Sequence, residues 1–176
     1  MDTENTWQRC VDFHGHSCPG LAIGFKAVEA ARMKLALKFS TDEELLCIAE
    51  NDACGVDAVQ VLTGCSLGKG NMIYRARGKM AFSFFKRSTG EKIRIVLKQR
   101  LERGGDRAAM QAAILKADPD ELFNYSEPPF PLPETARMFN SLECEQCGES
   151  AAEHMNRLHE GRHLCLDCFT EYSRGW

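Results

Sequence analysis

The sequence predicts an α+β core domain, in which helices pack on an antiparallel sheet meander, followed by a small cysteine-rich module. Apolar runs bounded by turn residues indicate four strands, at residues 45–49, 72–77, 79–86 and 92–97. An alanine-rich stretch at residues 19–37 spaces its large apolar side chains as an amphipathic helix does. Near the C-terminus, two Cys-x-x-Cys pairs follow a proline-rich run. These observations separate a core from a second module.

The helices of the core follow from local signals. An amphipathic segment at residues 7–13 precedes the long helix, which begins at Pro19 because proline suits the first helical position. Further helices are predicted at residues 56–62 and 106–116, and Asp118 opens a short additional one. These helices are expected to supply the layer that covers the sheet.

The sheet is predicted from the turns between its strands. The three later strands are separated by Gly78 and by a turn at residues 88–90. Glycine-containing turns at both places predict that these strands form a meander. The strand at residues 45–49 is apolar throughout and is expected to be buried, with Cys47 as a core thiol.

Composition limits the classes of function. The chain has 176 residues, of which 44% are hydrophobic and 27% charged, as in ordinary globular proteins. A net charge of -3 implies no overall attraction to polyanions. The first residues are polar and acidic, unlike a secretory signal, and no apolar run is long enough to span a bilayer. We therefore expect a cytoplasmic protein whose nine cysteines stay reduced or bind metals.

A proline-rich run divides the chain. Residues 127–133 contain four prolines, which favour a stiff, extended segment and exclude a helix or a central strand. We therefore predict a core domain at residues 1–126, a linker at 127–140 and a second module at 141–176.

The second module carries the most specific motif in the chain. Its cysteine pairs are 17 residues apart, a spacing that brings four thiolates to the corners of a tetrahedron around zinc. A segment this short cannot build a sufficient apolar core, so the metal is expected to supply most of its stability. The arrangement predicts a treble-clef or zinc-ribbon module that ends in a short helix. Its predicted ligands are Cys144, Cys147, Cys165 and Cys168, whereas His154, His159 and His163 are expected on the surface.

Charge is distributed unevenly between the two modules. Residues 141–176 contain three arginines, no lysine and seven acidic residues, so their surface repels phosphate and favours a structural or protein-docking role. Residues 69–107 contain twelve basic and three acidic residues. This excess indicates either the solvated face of a half-buried sheet or a docking face for an acidic partner, a polyanionic cofactor or a nucleic acid.

A second group of metal-binding residue types precedes the long helix. His14, His16 and Cys18 alternate along the chain, so an extended segment would direct all three side chains to one side. Cys18 stands at a helix N-terminus, where a thiolate is favoured. Imidazole and thiolate are ligands that zinc and similar metals prefer. The motif therefore predicts a core metal site; the alternative is a turn with one capping thiol and two solvated histidines.

Two more cysteines qualify as ligands of this core site. Cys54 and Cys65 flank the second helix, each in a glycine-containing loop where functional groups tend to gather. One or both of them are predicted to complete a site with His16 and Cys18.

The loop at residues 64–71 differs from a phosphate-binding loop. It is one residue short of the required spacing and has Gly70 where Ser or Thr would hold magnesium. Its backbone amides and Lys69 remain suited to binding a simple anion.

Three motifs in this order resemble the FmdE family of formylmethanofuran dehydrogenase components. They are FHGHSCPG at residues 13–20, NDACGVDAVQ at 51–60 and TGCSLGKGN at 63–71, and the similarity extends through GKMAF at 78–82. Ser17 stands where Leu is more usual, and Ser66 where Thr is more usual, but neither change removes a predicted ligand. Some family members also carry a C-terminal zinc module.

The resemblance implies an α+β core, an intertwined homodimer and a metal-bearing cleft near the His-x-His-x-Cys turn. It also implies a link to the molybdenum or tungsten enzyme subunits that oxidise or form formylmethanofuran in one-carbon metabolism. No membrane association is expected.

Two hypotheses for function follow. In the first, the chain is a metal-dependent oxidoreductase or an accessory subunit of one, with zinc or another transition metal in the core site. Its candidate catalytic residues are Cys18, His14 as a further ligand or proton carrier, Asp57 to orient a ligand, and Lys69 to meet an anionic substrate. An open metal position would make the site catalytic, and a filled one structural. In the second, the core is a non-catalytic zinc-stabilised dimer whose finger docks a protein or nucleic-acid partner.

Overall fold

The computed structural model describes residues 3–98 and 106–175 of the chain. Arg100 and Arg103, two of the basic residues counted above, lie outside these ranges. The chain divides into two compact units, Met1–Ala136 and Arg137–Trp176. None of the helices in the described ranges combines the length and apolar character that crossing a bilayer requires.

The first unit contains five helices and five strands in the described ranges. Its helices are α1 (Thr3–His14), α2 (Pro19–Leu35), α3 (Gly55–Thr63), α4 (Arg107–Lys116) and α5 (Pro119–Leu122). Its strands are β1 (Leu45–Ala49), β2 (Met72–Tyr74), β3 (Ala81–Lys86), β4 (Lys92–Leu97) and β5 (Phe123–Ser126).

The five strands form one sheet in the order β2-β1-β3-β4-β5. β1 pairs antiparallel with β3, β3 with β4 and β4 with β5, which confirms the α+β class with a sheet of antiparallel strands. The predicted meander is wrong at one edge, because β2 pairs in parallel with β1 and not with β3. The chain between β2 and β3 crosses the end of β1, where the amides of Arg77 and Lys79 both donate to the carbonyl of Glu50.

The main core of the first unit lies between the helices and one face of the sheet. α2 packs against α1, α3 and α4 and is buried along most of its length. The facing side of the sheet contributes fully buried side chains, namely Phe82, Phe84, Ile95 and Phe123. The opposite face of the sheet has a smaller cluster, in which Phe130 from the proline-rich segment packs against Leu46, Ile48 and Phe85.

Several of the basic side chains between residues 69 and 107 form ion pairs with acidic side chains of the same unit. The ion pairs are Lys86–Glu91, Arg87–Glu43, Lys92–Glu127 and Arg94–Glu50. Arg87 also donates to the carbonyls of Pro133 and Glu134, which attaches the proline-rich segment to the turn between β3 and β4. These pairs reduce the positive charge that this part of the unit offers to an outside partner.

The second unit consists of two small hairpins. β6 (Ser141–Glu143) pairs with β7 (Ser150–Ala152), and β8 (Asn156–His159) pairs with β9 (Arg162–Cys165). A short 3-10 helix, Glu153–Met155, joins the hairpins. Residues 169–175 form no helix, so the predicted terminal helix is wrong. Only Cys144, Leu164 and Cys165 form its buried cluster, within the described residues.

Candidate metal centres

Two groups of side chains in the described residues have the composition and spacing of metal sites. One contains the four cysteines of the second unit, and the other contains His14, His16 and Cys18 of the first. Within each group the potential ligand atoms all lie within 4.8 Å of one another. The sequence predicted both groups.

The four-cysteine group has the dimensions of a zinc site. The sulfurs of Cys147 and Cys165 are 3.9 Å apart. Zinc–sulfur bonds of about 2.3 Å in a tetrahedron require sulfurs about 3.8 Å apart. The backbone amides of Cys147 and Cys165 donate towards Cys144 and lower the pKa of its thiol to about 6, which favours the thiolate that a metal binds. The group therefore fits a structural zinc ion.

Cys18 is held at the N-terminus of α2. It is the N-cap residue, and its sulfur accepts a hydrogen bond from the amide of Leu21 at 3.3 Å. Its side chain is buried, with 3% of its surface exposed. Because unsatisfied amides and the helix dipole concentrate positive charge at a helix N-terminus, the position suits a sulfur that binds a metal.

His14 joins Cys18 to a carboxylate on another helix. Its Nε2 atom lies 3.9 Å from the sulfur of Cys18, and its Nδ1 atom lies 2.6 Å from Oδ2 of Asp57 in α3. Typical zinc–nitrogen and zinc–sulfur bonds at a tetrahedral angle place the two ligand atoms about 3.6 Å apart. A carboxylate on the other ring nitrogen fixes the tautomer that a ligating histidine needs. The three side chains therefore fit a transition metal with an orienting second partner.

His16 is the exposed member of the core group. Its ring centroid is 4.5 Å from that of His14, with the ring planes tilted by 39°. The positive φ of Gly15, 85°, turns the chain between the two histidines. The segment is therefore bent and not extended, and the turn, not strand-like alternation, brings the two rings together.

Cys54 lies next to this group and at a second helix N-terminus. It is the N-cap residue of α3, and a side chain at Gly20 would meet both its sulfur and that of Cys18. The two helix starts converge because α2 and α3 touch through glycines: a Cβ atom on Gly24 would lie 2.0 Å from the carbonyl oxygen of Gly55. Burial, followed by the neighbouring Cys18, raises the pKa of the Cys54 thiol.

Cys65 lies elsewhere and is not brought to the group. It is fully buried, its sulfur donates to the carbonyl of Leu45 at 3.6 Å, and burial raises its pKa to about 11. Cys47 is its neighbour in the core, where the sequence placed it. A neutral thiol in an apolar setting packs as a small hydrophobic residue. Of the two cysteines that the sequence left open, the structure therefore places Cys54 beside His14 and Cys18.

Lys69 donates to backbone oxygens and not to the group. Its ammonium donates to the carbonyls of Ser40 and Thr41, at 3.0 and 3.3 Å. These bonds attach the loop after α3 to the segment before β1. The sequence predicted that Lys69 would meet an anionic substrate. In the structure the ammonium group of Lys69 is instead hydrogen-bonded to backbone oxygens.

A cavity of about 400 Å³ opens beside the core group. His14, Cys54 and Asp57 lie on its wall, so the group and the cavity are continuous. The sequence did not predict two other lining residues, Gln60 and Tyr74. Gln60 follows Asp57 by three residues on α3, a helical spacing that signals a shared face. Tyr74 gave no such signal, because its place depends on the parallel pairing of β2 with β1.

Comparison with known proteins identifies both units. Residues 13–124 match the family described as "FmdE, Molybdenum formylmethanofuran dehydrogenase operon". Residues 137–174 match the "Prokaryotic dksA/traR C4-type zinc finger".

A curated relative and a solved structure are similar over nearly the whole chain. A "Probable S-adenosyl-L-methionine-binding protein" of Archaeoglobus fulgidus is 30% identical over 195 aligned positions, which cover 93% of this chain. The chain spans about half of that relative's length, 52%. The crystal structure of a tungsten formylmethanofuran dehydrogenase FmdE-like protein from Syntrophus aciditrophicus superimposes with a TM-score of 0.69 at 24% identity, covering 94% of this chain and 91% of that one. The fold is therefore shared, and the chain belongs to the FmdE family, with a dksA/traR-type four-cysteine zinc finger as its second unit.

Proposed function

We propose that the first unit is a metal-dependent small-molecule site, and that the chain is a catalytic or accessory component of one-carbon redox metabolism. His14, His16 and Cys18 would hold zinc or another transition metal, with Cys54 at its edge. The observation that carries the proposal is the position of His14, which faces Cys18 through one ring nitrogen and Asp57 through the other. The metabolic assignment rests on the family description alone.

The residues have distinct roles in this proposal. Asp57 is a positioning residue: it accepts the Nδ1 proton of His14, so that Nε2 is free to bind a metal. The amide of Leu21 donates to the sulfur of Cys18 and holds it at the N-terminus of α2 as a ligand. A metal held by three protein ligands keeps a position for a ligand or a water molecule and supplies Lewis acidity there. The adjoining cavity gives a small molecule access to that position.

Cobalt substitution tests the core centre separately from the finger. Co²⁺ bound to thiolate gives charge-transfer absorption, and a Cys144→Ser variant of the full chain would lack the complete finger site. We expect this variant to bind one Co²⁺ with thiolate charge-transfer bands, and the double variant with Cys18→Ser to lose them. Bands that persist in the double variant, or that are already lost in Cys144→Ser, would contradict the proposed centre.

The second unit supports a second candidate, a docking role. Leu158 is 70% exposed, Tyr172 80% and Met138 fully exposed, on a module that carries an excess of acidic residues. Exposed apolar side chains among acidic ones suit a protein partner better than a nucleic acid. We propose the molybdenum or tungsten enzyme subunits as that partner and a homodimer as the state of the chain. A tagged chain expressed in its native host should co-purify with those subunits, and the Leu158→Glu variant should not. Light scattering of the purified chain measures whether it is a dimer.

A further inference from the structure

The cavity beside the core group is continuous with the proposed centre. Its volume, about 400 Å³, is within the range of about 300–1,000 Å³ that is usual for small-molecule sites. His14, Cys54 and Asp57 belong both to its wall and to the surroundings of the proposed metal. A molecule in the cavity would therefore lie against the centre.

The charged groups on the cavity wall are acidic. Asp52 and Asp57 line it, and among the described residues no lysine or arginine does. Asp57 is shared between His14 and the amide of Gln60, at 2.6 and 3.4 Å. Asp52 is exposed, and in the described part of the chain its carboxylate has no hydrogen-bond or ion-pair partner. Two carboxylates unopposed by a lysine or arginine of the described residues make this wall negative, so the cavity attracts cations.

Apart from Asn51, the rest of the wall is apolar or aromatic. Val56, Met72 and Leu67 line it, and Leu67 remains 66% exposed. The ring of Tyr74, 49% exposed, stands at the same wall. Apolar side chains bind the body of a small molecule, and an aromatic face attracts an organic cation.

We infer that this cavity binds a small organic cation of the amine class, with its apolar body against Leu67, Met72 and Tyr74 and its ammonium group towards Asp52. The inference deepens the proposed function and rests on it only for the metal at the inner end of the cavity. The proposed cation differs from the anionic substrate that Lys69 led us to expect. Lys69 does not line the cavity, and its ammonium group donates to backbone carbonyls.

Three probes of one shape and different charge test the inference. They are 2-phenylethylamine, 2-phenylethanol and phenylacetate, titrated into the zinc-loaded full chain and followed by NMR chemical shifts. We expect saturable binding of the amine, with shifts at Leu67 and Tyr74, and binding of the alcohol about 2- to 5-fold weaker, as for a partly exposed ion pair. Phenylacetate should bind more weakly than either.

Asp52→Asn removes the charge that directs this order. It should lower the affinity for the amine by about 2- to 5-fold and leave the affinity for the alcohol unchanged. Asp42→Asn is the matched control, because it neutralises an exposed carboxylate that does not line the cavity. Preference for phenylacetate, no saturable shift with the amine, or an equal loss of amine and alcohol binding in Asp52→Asn would each overturn the inference.

Failure of the inference is distinguishable from failure of the metal centre. The titrations are repeated on Cys18→Ser, and its metal content is measured in the same sample. Preference for the amine in a Cys18→Ser protein that keeps all its metal supports the cavity assignment and refutes the centre. Loss of one metal from Cys18→Ser, together with preference for phenylacetate, supports the centre and refutes the cation.

Discussion

The two cysteine-rich groups differ in how the chain assembles them. The finger brings together two Cys-x-x-Cys turns from one short stretch, and its sulfurs make up the whole group. The core group takes its side chains from the end of α1 and the start of α2, with partners from α3. The finger is thus built by local spacing and is chemically closed. The core group is built by packing and borders a cavity. A closed site stabilises a fold, whereas an open one leaves room for chemistry.

The largest expected effect is on the finger. Cys144→Ser should abolish its zinc binding, which is worth about 10–16 kcal/mol in small zinc modules, and unfold the second unit. Zinc content and limited proteolysis measure this, and cleavage should be confined to residues 137–175. The control is His163→Ala, which removes an exposed imidazole of the same module. A protease-resistant second unit in Cys144→Ser would show that the module does not depend on its metal.

Gly24→Ala tests whether packing builds the core group. Its Cβ would lie 2.0 Å from the carbonyl oxygen of Gly55, so α2 and α3 must move apart. We expect the free energy of unfolding of the first unit to fall by about 1–3 kcal/mol or more. Core metal content should fall too, and finger zinc should not. Urea denaturation measures the change, with Gly68→Ala as the control because nothing lies within 4 Å of a Cβ there. Equal stability of the two variants would contradict the close helix contact.

Asp57→Asn tests the orienting partner of His14. Loss of such a partner typically lowers metal affinity about 10- to 100-fold, and we expect that loss at the core group alone. Competition with a chromophoric chelator measures the affinity. Asp12→Asn, an exposed change on the same helix as His14, should leave it unaltered. Unchanged core affinity in Asp57→Asn would mean that His14 is oriented without its carboxylate.

The smallest expected effect concerns acid stability away from both groups. The hydroxyl of Ser40, with the amide of Asp42, lowers the pKa of Glu44 from 4.5 to about 2. A lowered pKa contributes stability above pH 4.5, and that contribution is lost as the pH falls towards 2. The melting temperature of the first unit should therefore fall across this range, and less steeply in Glu44→Gln. If the melting temperature falls equally with pH in the unaltered protein and in Glu44→Gln, Glu44 does not contribute to acid stability.

The sequence predicted what depends on local spacing. The four finger cysteines and the His14–Cys18 turn came from short motifs, and the α+β class came from periodicity. It did not predict that β2 pairs with β1 or that Cys54, and not Cys65, approaches Cys18. Strand periodicity is the same in parallel and antiparallel pairs, and Cys54 is brought near Cys18 by a contact between two glycines on different helices. The terminal helix predicted from the aromatic residues after Cys168 was wrong, because residues 169–175 form no helix.

Metal content measured on purified full chain tests the central claim most directly. Elemental analysis should give two equivalents of metal in the unaltered protein and one in each of Cys18→Ser and Cys144→Ser. It should give none in the double variant. A Cys18→Ser protein that is folded and still holds two equivalents would contradict the central claim, because the first unit would then bind no metal through its mixed cluster.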